Sequence, residues 1–72
     1  MIQPIYTEFI RLDALLKLTS VVETGGQAKS VIQNGEVTVN GDICTMRGKK
    51  IRPGDQVVFN GKTITVTVAE TT

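Results

Sequence analysis

The sequence predicts an α+β domain in which two short helices pack on a small, mostly antiparallel sheet of about four to five strands. Three observations support this prediction. Apolar residues follow helical spacing between residues 12 and 34, their period changes to two after Gly35, and Asn-Gly pairs at residues 40–41 and 60–61 are typical of tight hairpins. With 72 residues, 40% of them hydrophobic, residues 1–72 are expected to form a single domain with one small core.

The N-terminal part of the chain predicts an edge strand and then a helix. Residues 2–10 are rich in strand formers, and Pro4 confines such a strand to a sheet edge because proline cannot donate a backbone hydrogen bond. A helix of about two turns should begin at Leu12. Its inward positions are Leu12, Leu15, Leu16 and Leu18. On its outer face Asp13 and Lys17 are four residues apart, a spacing that favours an ion pair.

A second helix is predicted from about Gly26 to Asn34. Thr24 precedes it as a candidate N-cap, and Gly35 follows it as a residue that can adopt the left-handed conformation of a helix end. Its inward positions are Ala28, Val31 and Ile32, and its outward positions are Lys29, Ser30 and Gln33. Two short helices joined by a turn are therefore expected.

Two hairpins are predicted after the second helix. Their strands cover residues 37–39, 42–44, 56–59 and 63–68. An Asn-Gly pair joins the strands of each hairpin and tolerates the positive φ angles of a type I′ turn, while Pro53 and Gly54 turn the chain between the hairpins. In the last strand Ile64, Val66 and Val68 alternate with threonines, which predicts one buried and one wet face. Residues 69–72 are expected to fray.

Positive charge is concentrated in residues 47–52, which we call the basic segment. It holds four of the chain's eight basic residues and no acid: Arg47, Lys49, Lys50 and Arg52. The whole chain has a net charge of only +1, so any attraction to phosphate must come from a local patch. Such a cluster also occurs on ordinary solvated surfaces, so charge alone leaves nucleic-acid binding and simple solvation both open.

Composition argues against several other classes of protein. Histidine is absent and Cys44 is the single cysteine, which excludes an intrachain disulfide and the His/Cys spacing of a zinc site. No metal and no cofactor is expected. The sequence has neither a signal-peptide pattern nor an apolar run of the roughly 18 residues that span a membrane, which favours a cytoplasmic protein.

The sequence also lacks a catalytic constellation. Asp13 and Asp55 are explained by a helix start and a turn, and Ser20 and Ser30 have no histidine base to activate them. The glycine pair at residues 25–26 does not belong to a phosphate-loop pattern. We therefore expect no enzyme activity, no catalytic residue and no small-molecule substrate.

Four motifs in the expected order resemble the S-four-type RNA-binding domain, named after ribosomal small-subunit protein S-four, and cover about residues 9–60. They are Arg11-Leu12-Asp13 in the first helix, Ala28-Lys29 in the second, the Gly-Glu-Val-Thr-Val-Asn-Gly run from Gly35 to Gly41, and Gly54-Asp55. The stretches from Glu23 to Lys29 and from Arg47 to Ile51 resemble most a compact bacterial subgroup in which the domain is the whole protein. The resemblance implies the alpha-L fold of that family.

The same resemblance implies that a monomeric protein binds structured RNA, either ribosomal RNA or ribosome assembly intermediates, without a membrane. The family's RNA surface combines the basic segment with the second helix. By this match, the RNA-binding residues are Arg11, Gly25, Gly26, Gln27, Lys29, Arg47, Lys49, Lys50 and Arg52. In many members an arginine occupies the position of Gly25, and the amides of residues 25–27 are expected to contribute in its place.

Two points about the manner of binding follow from the sequence. Tyr6, Phe9 and Phe59 lie in patterns typical of core or edge packing, so no platform for stacking bases is expected and recognition should rely on backbone shape. A rival hypothesis is a protein-interaction module, in which a partner strand adds to the N-terminal edge strand or to residues 63–68.

Overall fold

The computed structural model describes residues 1–70 of the chain. Within this range the chain forms seven strands and two helices. In order they are β1 (Ile2–Ile5), β2 (Ile10–Arg11), α1 (Leu12–Leu18), α2 (Gly25–Gln33), β3 (Val37–Val39), β4 (Asp42–Ile43), β5 (Lys50–Ile51), β6 (Gln56–Phe59) and β7 (Lys62–Val68). Neither helix has the length and apolar character needed to cross a membrane.

Five of the strands form a mixed sheet in the order β1-β7-β6-β3-β4. Strand β1 runs parallel to β7, and the other neighbours are antiparallel. This confirms the predicted α+β class, the mostly antiparallel sheet and the N-terminal strand at its edge. Strand β7 is paired on both sides, so the idea that residues 63–68 could accept a partner strand is wrong.

A second, two-stranded sheet pairs β2 with β5 and was not predicted. Ile10 lies opposite Ile51, and Arg11 lies opposite Lys50. Each strand has only two residues, which is too short for a detectable apolar period. The pairing matters for function because it joins the basic segment to the residue that precedes α1.

Both helices lie close to their predicted positions. Thr24 Oγ1 accepts a hydrogen bond from the Gln27 amide at 3.0 Å, which confirms the predicted cap of α2. At the other end Gly35 has a φ of +76°, its amide donates to the Ile32 carbonyl, and the Glu36 amide donates to the Val31 carbonyl. These two bonds form a Schellman motif, so the helix ends where the glycine was expected to end it.

The core lies between the two helices and one face of the sheet, and every buried side chain among residues 1–70 is apolar. Its members are Ile5, Leu12, Leu15, Leu16, Val22, Ala28, Ile32, Val37, Val39, Ile51, Val57, Ile64 and Val66. Two predicted inward positions are exposed, Leu18 by 53% and Val68 by 65%. Both are the last residues of their elements, where the helical or strand face extends past the core.

The hairpin turns and the chain end can also be compared with their predictions. Asn40, Gly41, Asn60 and Gly61 all have positive φ angles, as a type I′ turn requires at both central positions. The amide of Ala69 donates to the Ile5 carbonyl at 2.9 Å, so this residue is paired and the predicted fraying does not begin there. The last two predicted tail residues, 71 and 72, lie outside the described residues.

Candidate nucleic-acid interface

The backbone of the basic segment is fixed to the start of α1. The amide of Leu12 donates to the Lys49 carbonyl at 2.9 Å, and the amide of Asp13 donates to the Arg47 carbonyl at 3.1 Å. The first amides of a helix have no acceptor within the helix, so the basic segment supplies the acceptors that α1 needs. The loop that carries the charges is therefore part of a helix cap.

The far end of the basic segment is held by a carboxylate. Asp55 Oδ2 accepts from the Arg52 amide at 2.8 Å, and Asp55 Oδ1 accepts from Asn40 Nδ2 at 3.0 Å. Asn40 Oδ1 in turn accepts from the Gln56 amide at 2.9 Å. These bonds connect the first hairpin turn to the turn after the basic segment, which gives two of the sequence motifs a structural reason.

The same contacts lower the pKa of the Asp55 carboxyl below its ordinary value of 3.8. The backbone hydrogen bond from Arg52 is the largest cause, and partial burial opposes it. The hydrogen bond from Asn40 and the positive charges of Lys49 and Arg52 lower the pKa further. Asp55 is therefore an ionised anchor at neutral pH.

The charged side chains of the basic segment point to solvent. Arg47, Lys49, Lys50 and Arg52 are all exposed. Among residues 1–70 the ion pair between Arg11 Nη2 and Asp13 Oδ2, at 3.2 Å, is the one found, so these four cations have no acidic partner within salt-bridge distance. Their charge is available to an anionic ligand.

Arg11 lies beside the basic segment, as the predicted site requires. It is paired with Lys50 in the register of β2 and β5, and its side chain is 54% exposed. Its guanidinium also approaches Gly48, where an added Cβ would lie 3.8 Å from Arg11 Nη2. The chain thus brings Arg11 and the basic segment together on one surface.

The start of α2 presents less to a ligand than was predicted. The Gln27 amide is already used by Thr24, and Gln27 Oε1 accepts from the Glu23 amide at 2.8 Å. The expectation that the Gln27 amide contributes an open donor is therefore wrong, because this residue closes the helix cap. Gly25, Gly26 and Lys29 are exposed, as predicted.

Two open grooves divide the predicted site residues. One is lined by Lys49, Lys50 and Arg52 together with exposed apolar residues that include Ile43 and Met46. The other is lined by Arg11, Asp13, Ala14, Lys17, Leu18 and Gly25. Lys29 lines neither of these grooves in the described part of the chain. Lys17 was left outside the predicted site, although its spacing from Arg11 and Ala14 could have indicated a shared helix face.

The aromatic residues differ from the expectation that all would pack. Tyr6 is 80% exposed, and Phe9 is 37% exposed. The Lys50 ammonium lies 4.9 Å from the centre of the Phe9 ring, a distance typical of a cation–π contact. Phe59 packs against the core as predicted. Tyr6 lies in the irregular segment between β1 and β2, where no period indicates burial.

Comparison with known proteins gives a consistent family. A family model described as "S4 domain" matches residues 3–67. A Bacillus subtilis (strain 168) protein named "Probable ribosome maturation protein RlbA" is 42% identical over 55 residues, which are 76% of this chain and 78% of that protein. The "RQC P-site tRNA stabilizing factor" of Halalkalibacterium halodurans is 34% identical over 61 residues, covering 82% of this chain and 68% of that protein.

A solved structure agrees with these relatives. The solution structure of YbcJ from E. coli, described as an alpha-L motif involved in RNA binding, is 34% identical and has a TM-score of 0.72. The match covers 93% of this chain and 86% of YbcJ. It confirms the fold that the sequence motifs imply. With a family match over most of its length, the chain belongs to the S4 domain family.

Proposed function

We propose that this protein binds structured RNA without catalysis, through the basic segment, Arg11 and the exposed start of α2. The observation that carries the proposal is the combination of an anchored backbone with four exposed cations that have no acidic partner in the described chain. An anchored loop holds its charges in a fixed arrangement, which suits a folded RNA whose phosphates are also fixed.

The chemistry of the side chains fits phosphate contact. Arginine can bind a phosphate through two hydrogen bonds, and lysine supplies a compact positive charge. Three to five such contacts give an affinity that falls with salt by about 0.7 to 0.9 log units per contact for each tenfold rise in salt. Affinity should therefore be mostly electrostatic. We assign the contacts to Arg11, Lys29 and the basic segment, with Gly25 and Gly26 close to the backbone.

The relatives favour an RNA of the ribosome as the target. Their names refer to ribosome maturation and to a P-site tRNA. On this basis we assign the protein to ribosomal RNA or a ribosome assembly intermediate, acting as a monomer in the cytoplasm. No membrane or small-molecule substrate takes part in this proposal.

The rival protein-interaction module has weaker support from the sheet edges. Strand β1 carries Pro4, which offers no amide to a partner strand, and β4 at the other edge has only two residues. A short edge and a proline both disfavour strand addition. RNA binding is therefore the better use of the exposed surface.

Substitution of three cations in the basic segment tests the proposal. In R47A/K49A/K50A each lost phosphate contact should cost about 1 kcal/mol or more, and the salt slope of log Kd should fall by about 2 to 3. Fluorescence anisotropy with a labelled ribosomal-RNA hairpin at two salt concentrations measures both. Urea unfolding should be almost unchanged because these charges are exposed.

Lys62 supplies the control. It is exposed at the start of β7 and lies in neither groove among residues 1–70. K62A should bind the hairpin like the wild type. Unchanged affinity in the triple variant, or an equal loss in K62A, would contradict the assignment of the site.

A further inference from the structure

The groove between α1 and the start of α2 continues the surface of the basic segment. It is lined by Arg11, Asp13, Ala14, Lys17, Leu18 and Gly25; we call it the interhelix groove. Arg11 stands at its border with the basic segment, since its guanidinium also approaches Gly48. A ligand that follows the basic segment past Arg11 therefore enters the interhelix groove.

Lys17 enters this groove without an acidic partner. The sequence predicts that Asp13 pairs with Lys17, and this prediction is wrong. Asp13 Oδ2 instead accepts from Arg11 at 3.2 Å, and Asp13 Oδ1 accepts from the Ala14 amide at 2.8 Å. Asp13 is the acid that faces the groove, and its two oxygens are already used. Among residues 1–70 the Lys17 ammonium is left without a salt bridge.

The stem of Lys17 lies against the first residue of α2. Its Cδ is 4.0 Å from the position that a Cβ on Gly25 would take. Gly25 does not have a positive φ, so its backbone would accept another residue. The missing side chain leaves space beside Lys17, and the lysine directs its charge toward the exposed start of α2.

From this geometry we infer that Lys17 contacts a further RNA phosphate in the interhelix groove. The RNA backbone then runs from the basic segment past Arg11 to the start of α2. This inference rests on the proposed function and adds Lys17 to its site. It gives Lys17 a binding role in place of the solvated helix lysine that the sequence alone indicates.

Three variants at one position separate charge from packing. K17Q removes the charge and keeps most of the stem, K17R keeps the charge, and K62Q removes the same charge at a distant exposed lysine. Binding of a ribosomal-RNA hairpin is measured by anisotropy at several salt concentrations. For K17Q we expect a several-fold weaker affinity at low salt and a salt slope lower by about 1. K17R and K62Q should resemble the wild type.

The outcomes distinguish this inference from the proposed function. If R47A/K49A/K50A loses binding but K17Q keeps the wild-type affinity and slope, Lys17 has no role and only the inference fails. If neither protein loses affinity, the proposed function fails as well. An equal loss in K17Q and K62Q would also overturn the inference, because it would show a dependence on net charge alone.

A rescue variant locates the contact. In K17Q/G25R an arginine replaces the glycine beside position 17, and an added Cβ there meets Lys17 Cδ at ordinary van der Waals distance. We expect this arginine to recover the affinity and the salt slope lost in K17Q. An unrecovered slope in a variant that unfolds at the wild-type urea concentration would contradict the placement of a phosphate between Lys17 and Gly25.

Discussion

The basic segment and the first turn of α2 are both held by hydrogen bonds, but different atoms make those bonds. In the basic segment, backbone carbonyls of Arg47 and Lys49 accept from α1, while the charged ends of the side chains stay exposed. At the start of α2, the side chains of Thr24 and Gln27 make the bonds. The first region can offer all its cations to a ligand. The second uses its polar side chains to fix the helix end.

This difference teaches how to separate stability from binding in a small domain. Substituting a charge in the basic segment should alter RNA affinity and leave unfolding nearly unchanged. Substituting a capping residue of α2 should do the reverse. Asp55 is the exception, since a side chain there fixes the backbone that presents the charges.

The largest effect on stability is expected for D55A. It leaves the Arg52 amide and the Asn40 amide group without their acceptor, and we expect a loss of about 2 kcal/mol in the free energy of unfolding. RNA affinity should also fall, although an acid is removed, because the basic segment loses its anchor. Urea unfolding and anisotropy measure the two effects.

Asp42 provides the control for this variant. It is exposed in β4, and its side chain makes no hydrogen bond within the described residues. D42A should therefore change the free energy of unfolding by less than about 0.5 kcal/mol. If D55A binds RNA more tightly than D42A does, net charge outweighs the anchor and the comparison fails.

A smaller effect is expected for T24A. The Gln27 amide loses its acceptor, which should cost about 1 kcal/mol in the free energy of unfolding. RNA affinity in low salt should stay close to the wild type, since no cation is displaced. T45A, at an exposed position without a side-chain hydrogen bond in the described chain, is the matched control. A large loss of affinity in T24A would show that the cap itself belongs to the binding surface.

The smallest effect is the pH dependence that Asp55 contributes. Its pKa is lower in the folded protein than its ordinary value of 3.8, so the ionised form is favoured by folding. The stability it adds is present above that ordinary value and is lost as the pH falls through the lowered pKa. Urea unfolding at about pH 6 and about pH 2.5 should show a smaller loss in D55N than in the wild type. An equal loss in both proteins would contradict the role of Asp55 as an ionised anchor.

Elements with a repeated pattern or a required glycine could be predicted from the sequence. Helix α1 follows its leucines, α2 lies between Thr24 and Gly35, and both Asn-Gly turns have positive φ angles. The family motifs also identified the fold, which the similarity to YbcJ confirms. In each case the local sequence states the geometry, so neighbours distant in the chain were not needed.

Features that depend on long-range pairing could not be predicted. The β2–β5 pair joins residues about forty positions apart and is two residues long. It places Arg11 next to Lys50 and Gly48, where Arg11 also takes the carboxylate that was expected to pair with Lys17. The exposure of Tyr6 has a similar origin, since it lies in an irregular segment whose path is set by β1 and β2. The role of the site residues in RNA binding stays a prediction.

An amide-shift NMR titration of the labelled protein with a ribosomal-RNA hairpin tests the central claim most directly. Two salt concentrations should be used, because phosphate contacts weaken steeply with salt. We predict shifts at Arg11, Gly25 and Gly26 and across residues 47–52, all of which fade at high salt. Shifts confined to β1 or β4, or no shifts at low salt, would contradict the claim that the basic segment is an RNA-binding surface.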